Sequence, residues 1–323
     1  MPSWLIKVFV QRCIGTLPNS FYWNALLQDH VTHSVRLSDE LFDDGLQVCK
    51  QCFERLRVLR PGAQNGFSAF DLGTGWYPVI PIGLFLCGAR DMWTWDIAEY
   101  VTRDRLQLTI GRFFDRRKMV QEYLSSEPER FRLLEELIRR CQVAEGSAVR
   151  ELLEPLGIHY RIGNAAKTGL PAESVNLIVS NGVLEYIAPE LLADMLKEFR
   201  RIAAPNSLMS HTIDLADQYA TFDAGITQFN FLRFSDGLWR WLNNPLIPLN
   251  RLRINDYRAA FARNGFEIVD EQNRLGDRSA LQRTTLAERF RSYSMDDLIV
   301  VHTRLLAVPM TQTALSASAS AAS

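Results

Sequence analysis

The stretch from Phe67 to Ile97 constrains this chain more than any other. An apolar segment, Phe67–Phe70, leads through Asp71 into Leu72-Gly73-Thr74-Gly75-Trp76-Tyr77-Pro78. The segment reads as a buried strand, and the two glycines let the backbone turn sharply and approach a ligand closely. Val79–Leu86 is continuously apolar and reads as a helix packed on that strand, closed by Cys87-Gly88-Ala89. Met92–Trp95 reads as a second buried strand that ends in Asp96. A strand–turn–helix–strand unit of this kind belongs to an open α/β sheet, where ligands bind beyond the carboxyl ends of the strands. A carboxylate after each strand suits a ligand with an amine and a ribose diol, Asp71 near the amine and Asp96 accepting from the hydroxyls.

Two nucleotide-type cofactors compete for such a unit. A dinucleotide site wants G-x-G-x-x-G, with pyrophosphate on the helix N-terminus. Counted from Gly73, the last glycine position holds Pro78, and a carboxylate at Asp71 would repel pyrophosphate. S-adenosylmethionine is cationic and lacks phosphate, so Asp71 favours it. The region resembles motif I and the acidic second-strand motif of class I S-adenosylmethionine-dependent methyltransferases. Tyr77 stands where that loop usually has its third glycine, which brings an aromatic face near the sulfonium site or simply packs the helix start together with Trp76.

Later segments extend the resemblance in family order. Gly163-Asn164-Ala165…Leu170-Pro171 is similar to G-D-A…L-P after the third strand, with Asn164 in place of the usual acid. Ser174–Tyr186 resembles the fourth strand and the motif after it, and Arg201-Ile202-Ala203-Ala204-Pro205-Asn206 resembles R-x-L-K-P-G. The glycine loop, Ile213–Tyr219 with Phe222-Asp223, and Phe231–Asp236 are similar to a bacterial methyltransferase-like subgroup with no single defined substrate. The resemblance implies an α/β Rossmann-like fold: a mainly parallel seven-stranded sheet with helices on both faces. It also implies cofactor contacts from Asp71, Gly73, Thr74, Gly75, Tyr77, Asp96, Ile97, Asn164, Ala165, Ser180 and Asn181.

Further strands are expected at Ile158–Ile162, Leu177–Asn181 (continued by Gly182–Ile187), Leu208–Ile213, Phe266–Val269 and Leu298–Val308, with a turn at Ala203–Ser207. Helices are expected at Pro189–Arg201 and Asp256–Asn264, and residues 1–65 read as an N-terminal helical cap with a helix start at Ser38-Asp39-Glu40-Leu41. Residues 66–310 form the core with two insertions. The first, 102–154, is helical and placed to enclose a substrate; its basic run Arg112–Lys118 reads as a solvated face. The second, 215–255, is rich in aromatics and arginine and reads as a satellite core or as a lid whose arginine grips a carboxylate. The tail, 311–323, is Ala/Ser/Thr-rich and reads as disordered.

A net charge of −1 gives no general pull toward nucleic acid, and no apolar run is long enough to span a bilayer. Met1–Val10 lacks the features of a signal peptide and reads as a helix docked on the core. Five scattered cysteines fit a reduced, cytoplasmic setting, and Cys49-x-x-Cys52 has no partner pair for zinc. Methyl transfer needs an acceptor held in line and, for oxygen or nitrogen, a base within reach. Candidates beyond the fourth and fifth strands are Asn181, Glu185, Tyr186, Asp214, Asp217 and Tyr219, of which Tyr186, Asn181 and Asp214 lead; His30, His33 and His211 read first as structural groups. Asp214 reads equally as a turn cap. Gly182-Val183 after Asn181, in place of Pro-Pro-Tyr, argues against methylation of nucleobase amines. The leading function is a small-molecule methyltransferase. An alternative keeps the cofactor as substrate and closes it to azetidine-2-carboxylic acid and methylthioadenosine, as in some bacterial secondary metabolism; a third is a non-catalytic S-adenosylmethionine-binding protein.

Overall fold

The computed structural model describes residues 3–18, 23, 36–63, 66–143 and 146–310. His30, His33, the tail 311–323 and most of 19–35 lie outside the described residues. Strands β1 (Phe67–Leu72), β2 (Ala89–Asp96), β3 (Ile158–Ile162), β4 (Val175–Asn181), β5 (Ala203–Asp214), β6 (Phe266–Leu275) and β7 (Val300–Pro309) form one seven-stranded sheet in the order β3-β2-β1-β4-β5-β7-β6. The pairs from β3 to β5 are parallel, while β7 runs antiparallel to both β5 and β6. The strand order reverses between β1 and β4, which is where an open sheet of this kind forms its ligand crevice.

Side chains alternate between two buried faces, as a two-residue period requires. Ala69, Leu177, Val179 and Leu208 enter one core, beneath helices α2 (Asp39–Leu59) and α3 (Val79–Leu86). Phe70, Ile178, Met209 and Leu305 enter the other. That second core lies under α8 (Pro189–Ile202), through Phe199, and under α10 (Ile254–Arg263), through Tyr257 and Phe261. Ser38 caps α2 by accepting from Leu41 N at 3.1 Å, as its sequence position suggests. α2 and α3 approach closely at Gly83, where an added Cβ would sit 2.6 Å from Cys49 Sγ. Cys49 and Cys52 are thus core groups, and burial pushes the Cys52 thiol up to about 11.

The sequence reading of the N-terminal part changes in detail. α2 lies on the sheet itself, while α1 (Ser3–Gly15) docks elsewhere, on the aromatic insertion. Trp4 packs against the rings of Tyr219 and Phe234 at 5.8 and 5.9 Å. Helices α4 (Arg103–Asp115), α5 (Arg117–Leu124), α6 (Pro128–Val143) and α7 (Val149–Leu153) fill the first insertion. They pack into the core shared with α2 and α3, and none of their residues lines the ligand cavity described below. The basic run is tied up in ion pairs: Arg112 with Asp39 at 2.8 Å, Arg116 with Asp39 and Asp43, and Arg117 with Glu135.

Two strand boundaries differ from the expectation. β4 stops at Asn181; Gly182 takes a left-handed φ of 66°, and Leu184–Tyr186 is a 3-10 turn rather than further strand. Ala203–Ser207, expected as a turn, already belongs to β5, with the bend absorbed at Asn206 (φ 59°). In the second insertion α9 (Asp236–Leu242) and its neighbours form a third cluster around Phe229, Phe231 and Trp239, the satellite core of the two sequence readings.

Candidate active site

The carboxyl ends of β1, β2 and β3 are stitched together by backbone bonds. Gly73 N donates to Trp95 O at 2.7 Å, and Gly163 N donates to Asp96 O at 2.8 Å. Gly73 and Gly75 sit at φ 83° and 67°, a region that favours glycine. A Cβ on Gly73 would fall 2.3 Å from Val183 Cγ2, whereas a Cβ on Gly75 would meet nothing within 4 Å. The first glycine therefore permits close packing on the β4 loop, and the second leaves open space in front of the backbone.

That space belongs to a cavity of about 750 Å³. Gly73, Gly75, Trp76, Asp96 and Ile97 line it from the first two strands, and Gly163, Asn164 and Ala165 from the third. Asn181, Gly182, Val183 and Tyr186–Ala188 line it from the segment after β4, with Leu191 and Met195 from α8 and Leu246–Pro248 from the second insertion. Asp96 is held in place by Gly75 N, which donates to Oδ2 at 2.8 Å, and by Ile97 N, which donates to Oδ1 at 2.7 Å. Burial raises its pKa, and these backbone donors oppose the rise. A carboxylate has about four lone-pair sites, so capacity remains for two ribose hydroxyls.

Asp71 occupies a different place, beneath the glycine turn and outside the cavity lining. Thr94 Oγ1 donates to its Oδ2 at 2.9 Å, and Thr74 Oγ1 lies 2.5 Å from the same threonine hydroxyl. Its Oδ1 is buried with no partner among the described residues. Burial pushes Asp71 up to about 7, partly offset by Thr94 and reinforced by the nearby Asp96. Thr74 is thereby part of a buried chain under the turn. Tyr77 also turns away, into the core with α2, while Trp76 faces the cavity with Tyr100 at 4.9 Å and the Arg105 guanidinium 4.3 Å over its ring.

The other predicted residues divide in the same way. Ile97 and Ala165 reach the cavity, and Asn164 does so with its Oδ1 already accepting from Ala166 N at 2.9 Å. Ser180 is fully buried and bonded to His211 Nδ1 at 2.7 Å; desolvation lowers His211 to about 3, which makes it a neutral core group. Asp214 accepts from Ala216 N at 3.0 Å, the cap geometry, and stands outside the cavity lining. Asp217 and Tyr219 are buried in the insertion, where Asp217 accepts from Asn230 and Tyr219 donates to Gln11. Glu185 lies below Gly182 in a site that raises it to about 8, first by burial and then by Asp214. Asn181 and Tyr186 face the cavity, and Gln218 Nε2 donates to Tyr186 Oη. Burial raises the Tyr186 phenol above its ordinary value, so at neutral pH it is a hydroxyl.

Residues 134–210 match the model of a methyltransferase domain. The sheet is Rossmann-like, with seven mostly parallel strands flanked by helices. Solved structures similar to this chain include geranyl diphosphate C-methyltransferase from Streptomyces coelicolor A3(2), at 12% identity over 82% of this chain and 79% of that one (TM-score 0.44). An S-adenosylmethionine-dependent methyltransferase from Methanosarcina mazei is 10% identical over 79% and 98% (TM-score 0.44). One from Mesorhizobium loti is 15% identical over 79% and 95% (TM-score 0.39). No curated protein matches the sequence.

S-adenosylmethionine is the cofactor that goes with this fold and domain, and the cavity fits it on its own terms. Among the described residues the lining holds one carboxylate, Asp96, and no lysine, arginine or histidine. Val79 N, at the start of α3, is already bonded to Tyr77 O, and Pro78 has no N–H to offer. A pyrophosphate would find no lysine, arginine or histidine among the described lining residues, whereas a cationic nucleoside finds the buried carboxylate of Asp96.

The sequence reading missed Trp95, Tyr100, Leu191, Met195 and Leu246–Pro248 as lining residues. Trp95 and Tyr100 flank Asp96 closely enough for that carboxylate to have signalled them. Leu246–Pro248 carry no such signal, because only tertiary packing brings them to the β4 loop.

Proposed function

We propose that this chain is a methyltransferase that acts on a small molecule inside the cavity at the carboxyl ends of β1–β4. The observation that carries the reading is the Asp96 carboxylate, clamped by Gly75 N–H at the mouth of a cavity whose described lining has no cation. When bound, S-adenosylmethionine supplies an electrophilic methyl on a sulfonium. Asp96 and the Gly73–Gly75 turn hold the nucleoside. Ile97, Asn164 and Ala165 surround the base end. Asn181 and Tyr186 stand at the start of the other half of the cavity, where an acceptor is oriented. Tyr186 acts there as a hydrogen-bond donor rather than as a base: its oxygen already accepts from Gln218, and its own proton is retained at neutral pH. With the acceptor held by Asn181 and Tyr186, its nucleophilic atom would take the methyl while the carbon–sulfur electron pair stayed on sulfur, and any acceptor proton would pass to solvent. The chain's contribution to the rate is then chiefly the alignment of acceptor and methyl.

The test is incubation of the purified protein with S-adenosylmethionine, first alone and then with candidate acceptors, followed by mass spectrometry of the products. S-adenosylhomocysteine formed only with an acceptor supports methyl transfer. Methylthioadenosine with a cyclic amino acid, formed without acceptor, would replace this reading by intramolecular cyclisation. Tight S-adenosylhomocysteine binding with no product across a broad panel would point to a non-catalytic binder.

A further inference from the structure

The two halves of the cavity have different chemistry. The half at β1–β3 carries Asp96 and Asn164. The half beyond β4 is bounded by Val183, Ile187, Leu191, Met195 and the segment Leu246–Pro248, with Asn181 and Tyr186 as its polar side chains. Leu246–Pro248 is a strap held at both ends by asparagines. Asn243 Oδ1 accepts from Leu249 N at 3.0 Å, and Asn243 Nδ2 donates to Leu249 O at 3.0 Å. Asn250 Nδ2 donates to Leu184 O and Ile187 O, both at 2.8 Å, and Asn250 N donates to Glu185 O at 2.8 Å. The strap is thereby fixed to the loop after β4, and the side chains it brings to the cavity, Leu246, Ile247 and Pro248, are all apolar.

None of the four arginines of the same insertion (Arg233, Arg240, Arg251 and Arg253) lines the cavity, and the two that follow the strap are committed elsewhere. Arg253 is fully buried and donates to Leu215 O, Leu298 O and Val300 O. Arg251 donates to Phe231 O and Phe234 O and pairs with Asp236 at 2.5 Å. Neither lines the cavity, so the expectation of an arginine gripping an acceptor carboxylate has no counterpart among the described residues. The residues outside the described set near the N-terminus add none either: positions 13–35 contain no lysine or arginine.

We propose that the acceptor is a neutral, predominantly apolar molecule bearing a hydroxyl or carbonyl oxygen, seated between the strap and α8 with that oxygen toward Tyr186. This rests on the methyltransferase reading and narrows it to a substrate class. An apolar body gains about 25 cal/mol for each Å² it removes from water against these side chains. A phosphate or carboxylate there loses its hydration with no lysine, arginine or histidine among the described lining residues to replace it. The Tyr186 O–H, with its oxygen already bonded to Gln218, offers one donor and selects one acceptor oxygen.

Matched ligand pairs test this by calorimetry, on free protein and on protein saturated with S-adenosylhomocysteine: 1-naphthol against 1-naphthyl phosphate, and n-octanol against octanoate. The neutral member of each pair is expected to bind at least about ten-fold more tightly, the factor that corresponds to roughly 1.4 kcal/mol. Ile247→Asp is expected to weaken 1-naphthol by about ten-fold or more, while Ile247→Val changes it little and S-adenosylhomocysteine affinity stays within about two-fold in both. Tighter binding of the anionic members, no binding of either neutral ligand, or an Ile247→Asp variant that folds and binds 1-naphthol as before would overturn the proposal. Loss of S-adenosylhomocysteine binding by the unmodified protein would instead reject the cofactor reading, and the naphthol comparison on free protein would still stand.

Discussion

Asp71 offers the sharpest test of how the site is built. It is 1% exposed, accepts from Thr94, and keeps Oδ1 unpartnered. Burial raises it from 3.8 to about 7. Between those values the folded chain holds a proton that the unfolded chain has released, so the folded state loses stability as pH rises from about 4 and stops losing it above about 7. A gap of about three units, at about 1.4 kcal/mol each, makes the cost on the order of 4 kcal/mol at neutral pH. Asp71→Asn keeps the shape and the acceptor for Thr94 but cannot ionise. Its amide replaces the unpartnered oxygen and costs about 1–3 kcal/mol if it too finds no partner. The variant is therefore expected to be about 1–3 kcal/mol more stable than the unmodified protein at pH 8, and equal or less stable near pH 4. Urea unfolding at intervals from pH 4 to 9 measures the difference, and comparing the two proteins cancels the separate titration of Glu185. Two stability curves that stay parallel across this range would refute the argument. The same carboxyl predicts a ligand effect of opposite sign. A cationic cofactor favours ionised Asp71, so S-adenosylmethionine should bind more tightly as pH rises through about 7, with proton release to the buffer, and Asp71→Asn should remove that dependence.

Four other outcomes follow from the same geometry. Asp96→Asn should weaken S-adenosylhomocysteine binding by about ten- to a hundred-fold in calorimetry, the worth of one or two charge-assisted hydrogen bonds. Gly75→Ala meets no neighbour and should cost about 1–3 kcal/mol of backbone strain, whereas Gly73→Ala adds a collision with Val183 and should lose more in denaturant unfolding. Ser180→Ala removes the partner of His211 Nδ1 and should destabilise by about 1–3 kcal/mol; because His211 is held neutral, its imidazole resonances should not titrate between pH 5 and 8. Asn250→Ala unpins the strap from Leu184 and Ile187, and should raise KM for the acceptor while leaving S-adenosylhomocysteine affinity nearly unchanged.

The parallel part of the sheet was legible because its strands are buried on both faces and so appear as short apolar runs with Gly, Pro or Asn at their ends. Val79–Leu86 forms the helix over the residues its apolar run marks. The errors lie where a strand end and a turn share the same residues. Val183–Ile187 is as apolar as the strand before it, but Gly182 turns the chain to a left-handed φ and delivers Tyr186 to the cavity. Periodicity carries no information about that turn. Similarly, Ala203-Ala204-Pro205 reads as a turn by composition, yet Val175 pairs with Ala203 and fixes it in β5.

In the site, the sequence located the residues whose backbone must turn and the carboxylate that ends β2, because both requirements are local. It could not separate Asp71 from Asp96 by depth. Both end adjacent parallel strands, but Asp71 lies under the turn that Gly73 and Gly75 create, whereas Asp96 projects past it to the Gly75 amide. Nor could it say which polar groups of the second insertion face inward. Arg251 and Arg253 resemble anion ligands in sequence and serve as internal ties in the fold. A guanidinium has five donors in a fixed fork, and an irregular segment packed against a sheet leaves several carbonyls without ladder partners. Satisfying those carbonyls uses up Arg251 and Arg253, while Leu246–Pro248 line the acceptor half of the cavity.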